Sequence, residues 1–263
     1  MSPYLAIFNA RARLLFQYRA AAFAGIVTQV FWGYMRVMVF AAFYASASGI
    51  MPLSLSDTIT YIWLSQVLLS QLPWNIDKEI EQMVRTGTVV YELVKPIDLY
   101  RYWYCRCVAM RLIPLLLRGS ILILVAGIFF GLARPESLAH GLLFVIALVG
   151  CISLSAAVTV LVMISLFWTV TGDGILRLLP AIMLIFTGML VPLPFFPEWF
   201  QPALTFLPFR AFIDTPLRLY MGNIALADAP GAILHQWIWV ALLVYFGLKL
   251  IGRAQKKLVV HGG

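Results

Sequence analysis

The chain has 263 residues, of which 62% are hydrophobic and 11% are charged, and its mean hydropathy is +0.93. Soluble domains carry roughly a quarter charged residues and fewer than half apolar ones, so this composition excludes a water-soluble fold. The formal charge of +8 would indicate nucleic acid as the partner of a soluble protein. In a membrane protein the same charge belongs to cytoplasmic loops. We therefore predict an all-α polytopic membrane protein with lipid around it and no nucleic-acid partner.

Since a span needs roughly 20 mostly apolar residues, the chain has room for six transmembrane helices in a single domain. An N-terminal segment, residues 1–20, repeats Asn9, Arg13 and Gln17 on one polar face, which is typical of an interfacial helix. The predicted spans are residues 20–44, 57–74, 108–132, 137–168, 175–193 and 235–251. A charged stretch, residues 77–106, separates spans two and three.

Two later segments interrupt the apolar pattern. Thr-Gly-Asp-Gly at residues 171–174 predicts a tight turn before span five. Residues 194–220 alternate prolines with aromatic side chains. Because each proline removes a backbone donor, this segment cannot form one continuous spanning helix. It predicts short re-entrant helices at the extracytoplasmic edge of the membrane, where neighbouring protein satisfies the backbone.

The distribution of basic residues predicts the orientation of the chain. With the N-terminus inside, most Lys and Arg side chains fall in residues 1–20, residues 77–106 and the C-terminal end. Only Arg134, Arg210 and Arg218 then lie outside. Because cytoplasmic loops collect Lys and Arg, both termini are predicted to be cytoplasmic.

Three classes of membrane protein fit this outline: a subunit of an ATP-driven pump, an ion-coupled secondary carrier, and a membrane-embedded enzyme. Ion-coupled carriers usually need carboxylates inside the bilayer, whereas every Asp and Glu here fits a loop or a span end. Cys105, Cys107 and Cys151 form no CxxC pair, and the histidines are isolated. These features predict no metal site and no catalytic residue. The chain also lacks a GxxxxGK[ST] phosphate loop, so a pump subunit of this kind needs a separate ATPase.

A pump subunit must receive force through a structured cytoplasmic element, and the segment after span two fits this role. Ile80, Met83 and Val84 have helical spacing and predict a small apolar face. Gly87 permits a sharp reversal of the chain, and Pro96 ends the following segment. The alternative interpretation is a solvated loop without a partner.

The whole chain resembles the permease subunits of type-two ATP-binding-cassette (ABC) exporters, in particular the bacterial ABC-2 family permeases. The resemblance is carried by the N-terminal amphipathic helix, the six spans, the re-entrant segment 194–220, and the loop R-T-G-T-V-V-Y-E-L-V-K-P-I-D at residues 85–98. It implies a dimer of permease chains, identical or different, with two cytoplasmic ABC ATPases that bind ATP and magnesium. It also implies a coupling helix in the loop after span two, residues 77–100, and a bacterial inner-membrane location.

Three groups of candidate site residues follow. The ATPase-coupling group is Glu79, Ile80, Met83, Val84, Arg85, Gly87, Glu92, Lys95 and Pro96. The translocation-path group is Arg36, Arg111 and Arg118, since an intramembrane charge costs about 2.5–3.5 kcal/mol on insertion scales and is by default a functional candidate. The outer-gate group is Phe195, Phe196 and Trp199. For the arginines the alternative roles are structural: Arg118 bonding backbone carbonyls or a partner chain, and Arg36 reaching outward to the interface.

The function predicted from these features is a non-catalytic permease subunit of an ATP-driven exporter. It would move a substrate of amphipathic, drug-like or lipid-like type by alternating access. Substrates across the resembling family range from drugs and peptides to lipids and polysaccharides, so the resemblance names none. The alternative is a secondary carrier or channel that is not driven by ATP.

Overall fold

The computed structural model describes residues 3–17, 19–169 and 173–261, and this part of the chain is helical with no β-strand. Two residues of the predicted turn at 171–174, Thr171 and Gly172, lie outside the described residues. In chain order the helices of the described residues are α1 (Pro3–Gln17), α2 (Arg19–Ser46), α3 (Leu55–Val67), α4 (Lys78–Arg85), α5 (Val90–Leu93), α6 (Leu99–Pro114), α7 (Ser120–Phe129), α8 (Leu138–Ser165), α9 (Asp173–Phe186), α10 (Gln201–Phe206), α11 (Asp214–Tyr220) and α12 (Ala229–His261).

Four stretches of the described chain are long and apolar enough to cross a membrane: Ala24–Ser46, Leu99–Phe129, Leu138–Ser165 and Ala229–Lys256. They correspond to predicted spans one, three, four and six. A shorter apolar helix, Gly174–Phe186, corresponds to span five. These helices show a polytopic membrane protein, and the count of six spans stays a prediction.

Predicted span two differs from the others because it is enclosed by protein. Its helix, α3, has 13 residues and is therefore about 20 Å long at 1.5 Å per residue, shorter than a hydrocarbon core of about 30 Å. A 3-10 turn, Leu68–Gln71, extends it. Tyr61, Ile62 and Trp63 on α3 are fully buried. Since α3 packs against α2, α7 and α11, it needs no broad lipid-facing surface.

Helix α8 runs through the two largest hydrophobic clusters of the fold. Leu154 belongs to one cluster, which α3, the 208–213 segment and α11 complete. Val160 and Met163 belong to the other, where they meet Ile80 of α4 and Trp103 of α6. Because α8 also packs along α6, α11 and α12, it forms the centre of the helix assembly.

Predicted span three is interrupted at its middle. Pro114 ends α6, and a π-helical turn, Leu115–Gly119, joins α6 to α7. A proline inside a helix removes a backbone hydrogen bond to the preceding turn, and the wider π turn accommodates the loss. Pro114 and the π-helical turn therefore change the helical register in the middle of predicted span three.

The proline-rich segment folds into short pieces, as its sequence predicts. Between α9 and α12 the longest helix is α11, with 7 residues, and α10 has 6. One 3-10 turn, Leu193–Phe195, precedes α10, and another, Pro208–Ala211, lies between α10 and α11. None of these pieces is long enough to cross a membrane. Their position as re-entrant helices stays a prediction.

Candidate functional site

The loop between predicted spans two and three is anchored by one buried carboxylate, Asp77, which is 0% exposed. Its Oδ1 accepts a hydrogen bond from the Glu79 backbone N–H at 3.1 Å and so caps the N-terminus of α4. Its Oδ2 accepts one from Arg106 Nε of α6 at 2.8 Å. The same oxygen lies 3.0 Å from Arg11 Nη2 of α1. One side chain therefore joins three helices.

Glu79 completes a charge-balanced cluster of two arginines and two carboxylates, which we call the Asp77 cluster. The Glu79 carboxylate accepts a hydrogen bond from Arg106 Nη2 and lies 3.5 Å from Arg11 Nη1. The hydrogen bond from Arg106 lowers the pKa of Glu79 below its ordinary value. A buried charge is costly unless it is paired and hydrogen-bonded. The cluster therefore fixes α4 relative to α1 and α6.

The predicted apolar face of α4 points into the protein. Ile80 is 0% exposed and packs in the cluster that contains Val89 and Trp103. Met83 and Val84 are half-buried against the same cluster. The structure places Ile80 in the interior of the protein rather than on the surface of the loop. The apolar spacing of α4 is used for internal packing in a cluster with residues of α6 and α8, and a role of Ile80 in ATPase coupling stays a prediction.

Gly87 makes the reversal between α4 and α5 with φ at +75°, as the sequence analysis anticipated. Such a φ is costly for residues with a side chain. The Gly87 N–H donates to the Val84 carbonyl at 3.3 Å, and the Val89 N–H donates to the Met83 carbonyl at 3.1 Å. A Cβ added at Gly87 would meet no atom within 4 Å. The requirement at this position is therefore for backbone conformation alone.

Three side chains that the sequence analysis did not select form the exposed apolar surface of the loop. Val90 is 43% exposed, Tyr91 is 74% exposed and Val94 is 81% exposed. We call these three residues the α5 patch. The signal was present in the sequence, since residues 89–94 contain more apolar side chains than a short helix can bury on one face. Val89 takes the buried side, and Val90, Tyr91 and Val94 lie on the outside.

The charged residues of the loop are mostly paired within it. Glu92, predicted as a contact residue, is only 8% exposed and binds Lys95 Nζ at 2.8 Å. The hydrogen bond that Lys95 donates to the Glu92 carboxylate raises the pKa of Lys95. Glu81 lies 2.9 Å from Arg85 Nη2 and also pairs with Lys78. Burial raises the pKa of Glu81, but the hydrogen bonds from Lys78 and Arg85 outweigh it, so the pKa is lowered.

Of the predicted coupling residues, some therefore reach the surface and others do not. Those with exposed positions are Glu79, Arg85, Gly87, Lys95 and Pro96. The α5 patch lies in the middle of this stretch of chain. The exposed surface of the loop is thus an apolar patch flanked by Arg85 and Lys95. Whether an ATPase contacts it stays a prediction.

Arg111 and Arg118, two of the predicted translocation-path residues, lie in different helical elements, Arg111 in α6 and Arg118 in the π-helical turn. Arg111 is 3% exposed, and its guanidinium donates to the Ser70 carbonyl at 3.1 Å, the Asn75 carbonyl at 2.9 Å and Thr159 Oγ1 at 2.7 Å. These contacts hold the end of predicted span two. The role of Arg111 in a translocation path stays a prediction.

Arg118 lies within the π-helical turn and is half-buried. Its guanidinium lies against α2, since a Cβ added at Gly25 would be 3.0 Å from Arg118 Nη1. Within the described part of the chain it has no hydrogen-bond or ion-pair partner. Among the described residues Arg118 therefore has no contacts like those that hold Arg111.

Arg36 on α2 forms hydrogen bonds to two other parts of the chain in the predicted outer half of the membrane. It donates to Ser65 Oγ on α3 at 2.9 Å and to the Leu190 carbonyl at 3.2 Å. These contacts fit the structural alternative better than a free cation. Arg36 also lines an apolar cavity of about 570 Å³ that reaches Val39, Phe43 and Phe195.

The three predicted gate aromatics do not form one unit. Phe195 meets the rings of Phe40, Phe43 and Tyr44 at centroid distances of 5.7, 6.3 and 6.4 Å, so it packs the 3-10 turn Leu193–Phe195 onto α2. Trp199 is 80% exposed. Phe196 is half-buried and lies 6.0 Å from the ring of Phe200.

A comparison with protein families matches the chain to the ABC-2 family transporter proteins over residues 30–262. The chain belongs to this family. The match covers Arg36, Arg111 and Arg118, the Asp77 cluster except for Arg11, and the α5 patch. A comparison with curated proteins found no match. As an ABC-2 family member the chain is a transmembrane transport permease.

Proposed function

We propose that this permease is the membrane subunit of an ATP-driven exporter in the bacterial inner membrane, with both termini in the cytoplasm. Two copies of a cytoplasmic ABC ATPase supply the ATP and magnesium site, and a second permease chain completes the path. The substrate belongs to the amphipathic, drug-like or lipid-like class. The observation that carries this proposal is the α5 patch, an apolar surface on an extramembrane element that is fixed to the membrane helices.

The α5 patch suits a contact that transmits force. An exposed apolar surface outside the membrane usually marks a protein interface. The patch sits on α5, which the Gly87 turn links to α4. The Asp77 cluster then ties α4 to α6. A displacement imposed on α5 would therefore move α6 as well.

Helix α6 leads to the only π-helical turn among the described residues. Such turns lack the regular hydrogen-bond pattern and often occur at functional sites. In the proposed mechanism, ATP-driven closure of the ATPase subunits pushes α5, and α6 carries this motion to residues 115–119. Arg118 lies there without a hydrogen-bond or ion-pair partner among the described residues. It is the residue we expect to meet an anionic group of the substrate.

The subunit composition can be tested by purifying the tagged permease in mild detergent and identifying the proteins retained with it. The proposal expects an ATPase that carries a GxxxxGK[ST] phosphate loop, together with either one or two permease species. It also expects that the purified chain alone neither hydrolyses ATP nor drives uptake in liposomes. Robust proton-coupled uptake by the chain alone would instead establish the alternative, a secondary carrier.

A further inference from the structure

A cavity of about 540 Å³ lies between the N-terminal helix, the start of α6 and the later part of α12. The lining side chains that matter here are Tyr4, Tyr100, Arg101, Tyr104, Val244 and Leu248. Its walls are apolar and aromatic apart from Arg101. Ligand cavities of this size and composition are ordinary for small molecules and lipids.

The cavity walls are held in place by close packing between α6 and α12. A Cβ added at Gly247 would come 2.5 Å from Tyr100 Cε2, so the glycine allows the tyrosine ring to lie against the α12 backbone. The rings of Tyr100 and Tyr104 stack at a centroid distance of 6.0 Å, and Tyr104 donates to the Ser153 carbonyl at 3.1 Å. The Tyr100 hydroxyl is buried with no hydrogen-bond partner in the described structure, so one wall keeps an unused donor.

Arg101 is the one charged side chain of the cavity lining, and it is exposed. Two further exposed cations, Lys249 and Arg253, follow the lining residue Leu248 on α12. Among the described residues no carboxylate forms an ion pair with any of the three. Lys249 Nζ lies 4.5 Å from the centroid of the Tyr245 ring. The nearest acidic side chain in sequence, Asp98, instead caps α6 by accepting the Arg101 N–H at 2.8 Å.

The carboxylates of the neighbouring loop are committed elsewhere. Asp77 and Glu79 pair with Arg11 and Arg106, and Glu92 pairs with Lys95. Among the described residues, Arg101 is therefore available to an external anion that enters the cavity. In the orientation proposed above, this end of α6 and α12 faces the cytoplasm. The cytoplasmic leaflet of a membrane is rich in anionic lipids, and basic pockets between helices on that side bind their headgroups.

We propose that this cavity binds one anionic phospholipid of the cytoplasmic leaflet. Its phosphate lies at Arg101, and an acyl chain packs along Val244 and Leu248 beside the tyrosine rings. The tyrosines suit this position, since their rings favour the level of the lipid headgroups. The assignment rests on the proposed orientation, but it requires no ATPase.

The test is native mass spectrometry of the purified permease chain in detergent. It is titrated with palmitoyl-oleoyl phosphatidylglycerol or with phosphatidylcholine of the same acyl chains. We expect wild type to retain phosphatidylglycerol preferentially. Arg101→Gln should weaken phosphatidylglycerol binding about fivefold, which corresponds to about 1 kcal/mol per basic residue near an anionic surface. Phosphatidylcholine binding should be unchanged. The matched control is Arg134→Gln, which removes an exposed arginine from the predicted outer side.

The cavity itself is tested with a second pair of variants on α12. Leu248→Trp places a larger side chain in the cavity, whereas Leu242→Trp makes the same change at a position of similar exposure, 41% against 44%, away from the lining. Only Leu248→Trp should lower phosphatidylglycerol retention. Equal binding of the two lipids by wild type would overturn the proposal. So would equal effects of the two arginine variants, or unchanged retention in Leu248→Trp. Because the test contains no ATPase, a failure of the lipid proposal would not count against the proposed transport function.

Discussion

Replacing Arg106 with Met should loosen the α4 segment without unfolding the membrane helices. Arg106 donates from its Nε to the fully buried Asp77 carboxylate at 2.8 Å and also bonds Glu79. Methionine keeps much of the apolar stem but removes every donor. Asp77 then retains Arg11 at 3.0 Å and its cap on α4.

The size of the effect follows from burial. Removing one partner of a buried ion pair typically costs about 3–5 kcal/mol, because the remaining charge is left uncompensated. Since Arg11 still compensates Asp77, we expect the lower end, about 3 kcal/mol. At 1.4 kcal/mol per factor of ten, the local opening of α4 becomes more than about a hundredfold more frequent.

Hydrogen exchange measured by mass spectrometry reports this opening directly, because exchange of protected amides follows the local free energy. Peptides covering residues 78–86 should exchange more than about a hundredfold faster in Arg106→Met. Peptides from α8 should be unchanged. The control is Arg101→Met, which removes an exposed arginine from the same helix and should change exchange of α4 very little. If Arg106→Met left residues 78–86 within about threefold of wild type, the claim that the Asp77 cluster fixes α4 would be wrong.

Three further predictions concern the same account. Gly87→Val forces a β-branched residue to φ of +75° and should reduce ATPase retention on the purified permease, whereas Gly87→Asn, which tolerates that φ, should keep it. Arg118→Ala should change transport while expression and assembly persist, whereas Arg111→Ala should lower the melting temperature because it removes three hydrogen bonds, one of them fully buried; a defect in expression alone for Arg118→Ala would favour a structural role. The pKa of Glu79 is lowered in the folded protein. The stability that Glu79 contributes to the folded state is therefore present above its ordinary pKa of 4.5 and is lost as the pH falls through the lower folded value. Exchange protection of α4, corrected for intrinsic rates, should therefore hold from pH 7 to 5 and fall only in stronger acid, and a loss that began near pH 6 would contradict the role given to the Arg106 contact.

The sequence predicted the helix pattern well where lipid determines it. Long apolar runs must bury themselves in a bilayer, so the predicted spans 20–44, 137–168 and 235–251 lie close to the observed stretches Ala24–Ser46, Leu138–Ser165 and Ala229–Lys256. Predicted span two was less accurate. Its Tyr61 and Trp63 are enclosed by neighbouring helices, and a single sequence does not show which helices will surround it.

The sequence predicted where α4 lies in the chain, but not which way its apolar face points. The helical spacing of Ile80 and Met83 gave the existence of α4 and an apolar face, but it could not say whether that face meets another protein or the interior. The answer depends on residues such as Trp103 of α6 and Met163 of α8, which are more than twenty residues from Ile80 in the chain. Likewise Arg111 and Arg118, seven residues apart, would share one face of a regular helix. The π-helical turn after Pro114, in which Arg118 lies, breaks that regular register.

The central claim, that the α5 patch binds an ATPase, is tested most directly by the affinity of the permease for that ATPase when Val94 is changed to Asp. Val94 is 81% exposed, so the substitution should leave the permease fold intact. If the side chain is buried in the contact, its loss removes about 1.5 kcal/mol or more of apolar burial, with a desolvation cost for the new carboxylate. We expect binding at least about tenfold weaker for Val94→Asp. Leu226→Asp, the same change at a 49% exposed aliphatic residue on the predicted outer side, should bind like wild type. Equal ATPase affinity for wild type, Val94→Asp and Leu226→Asp would contradict the account.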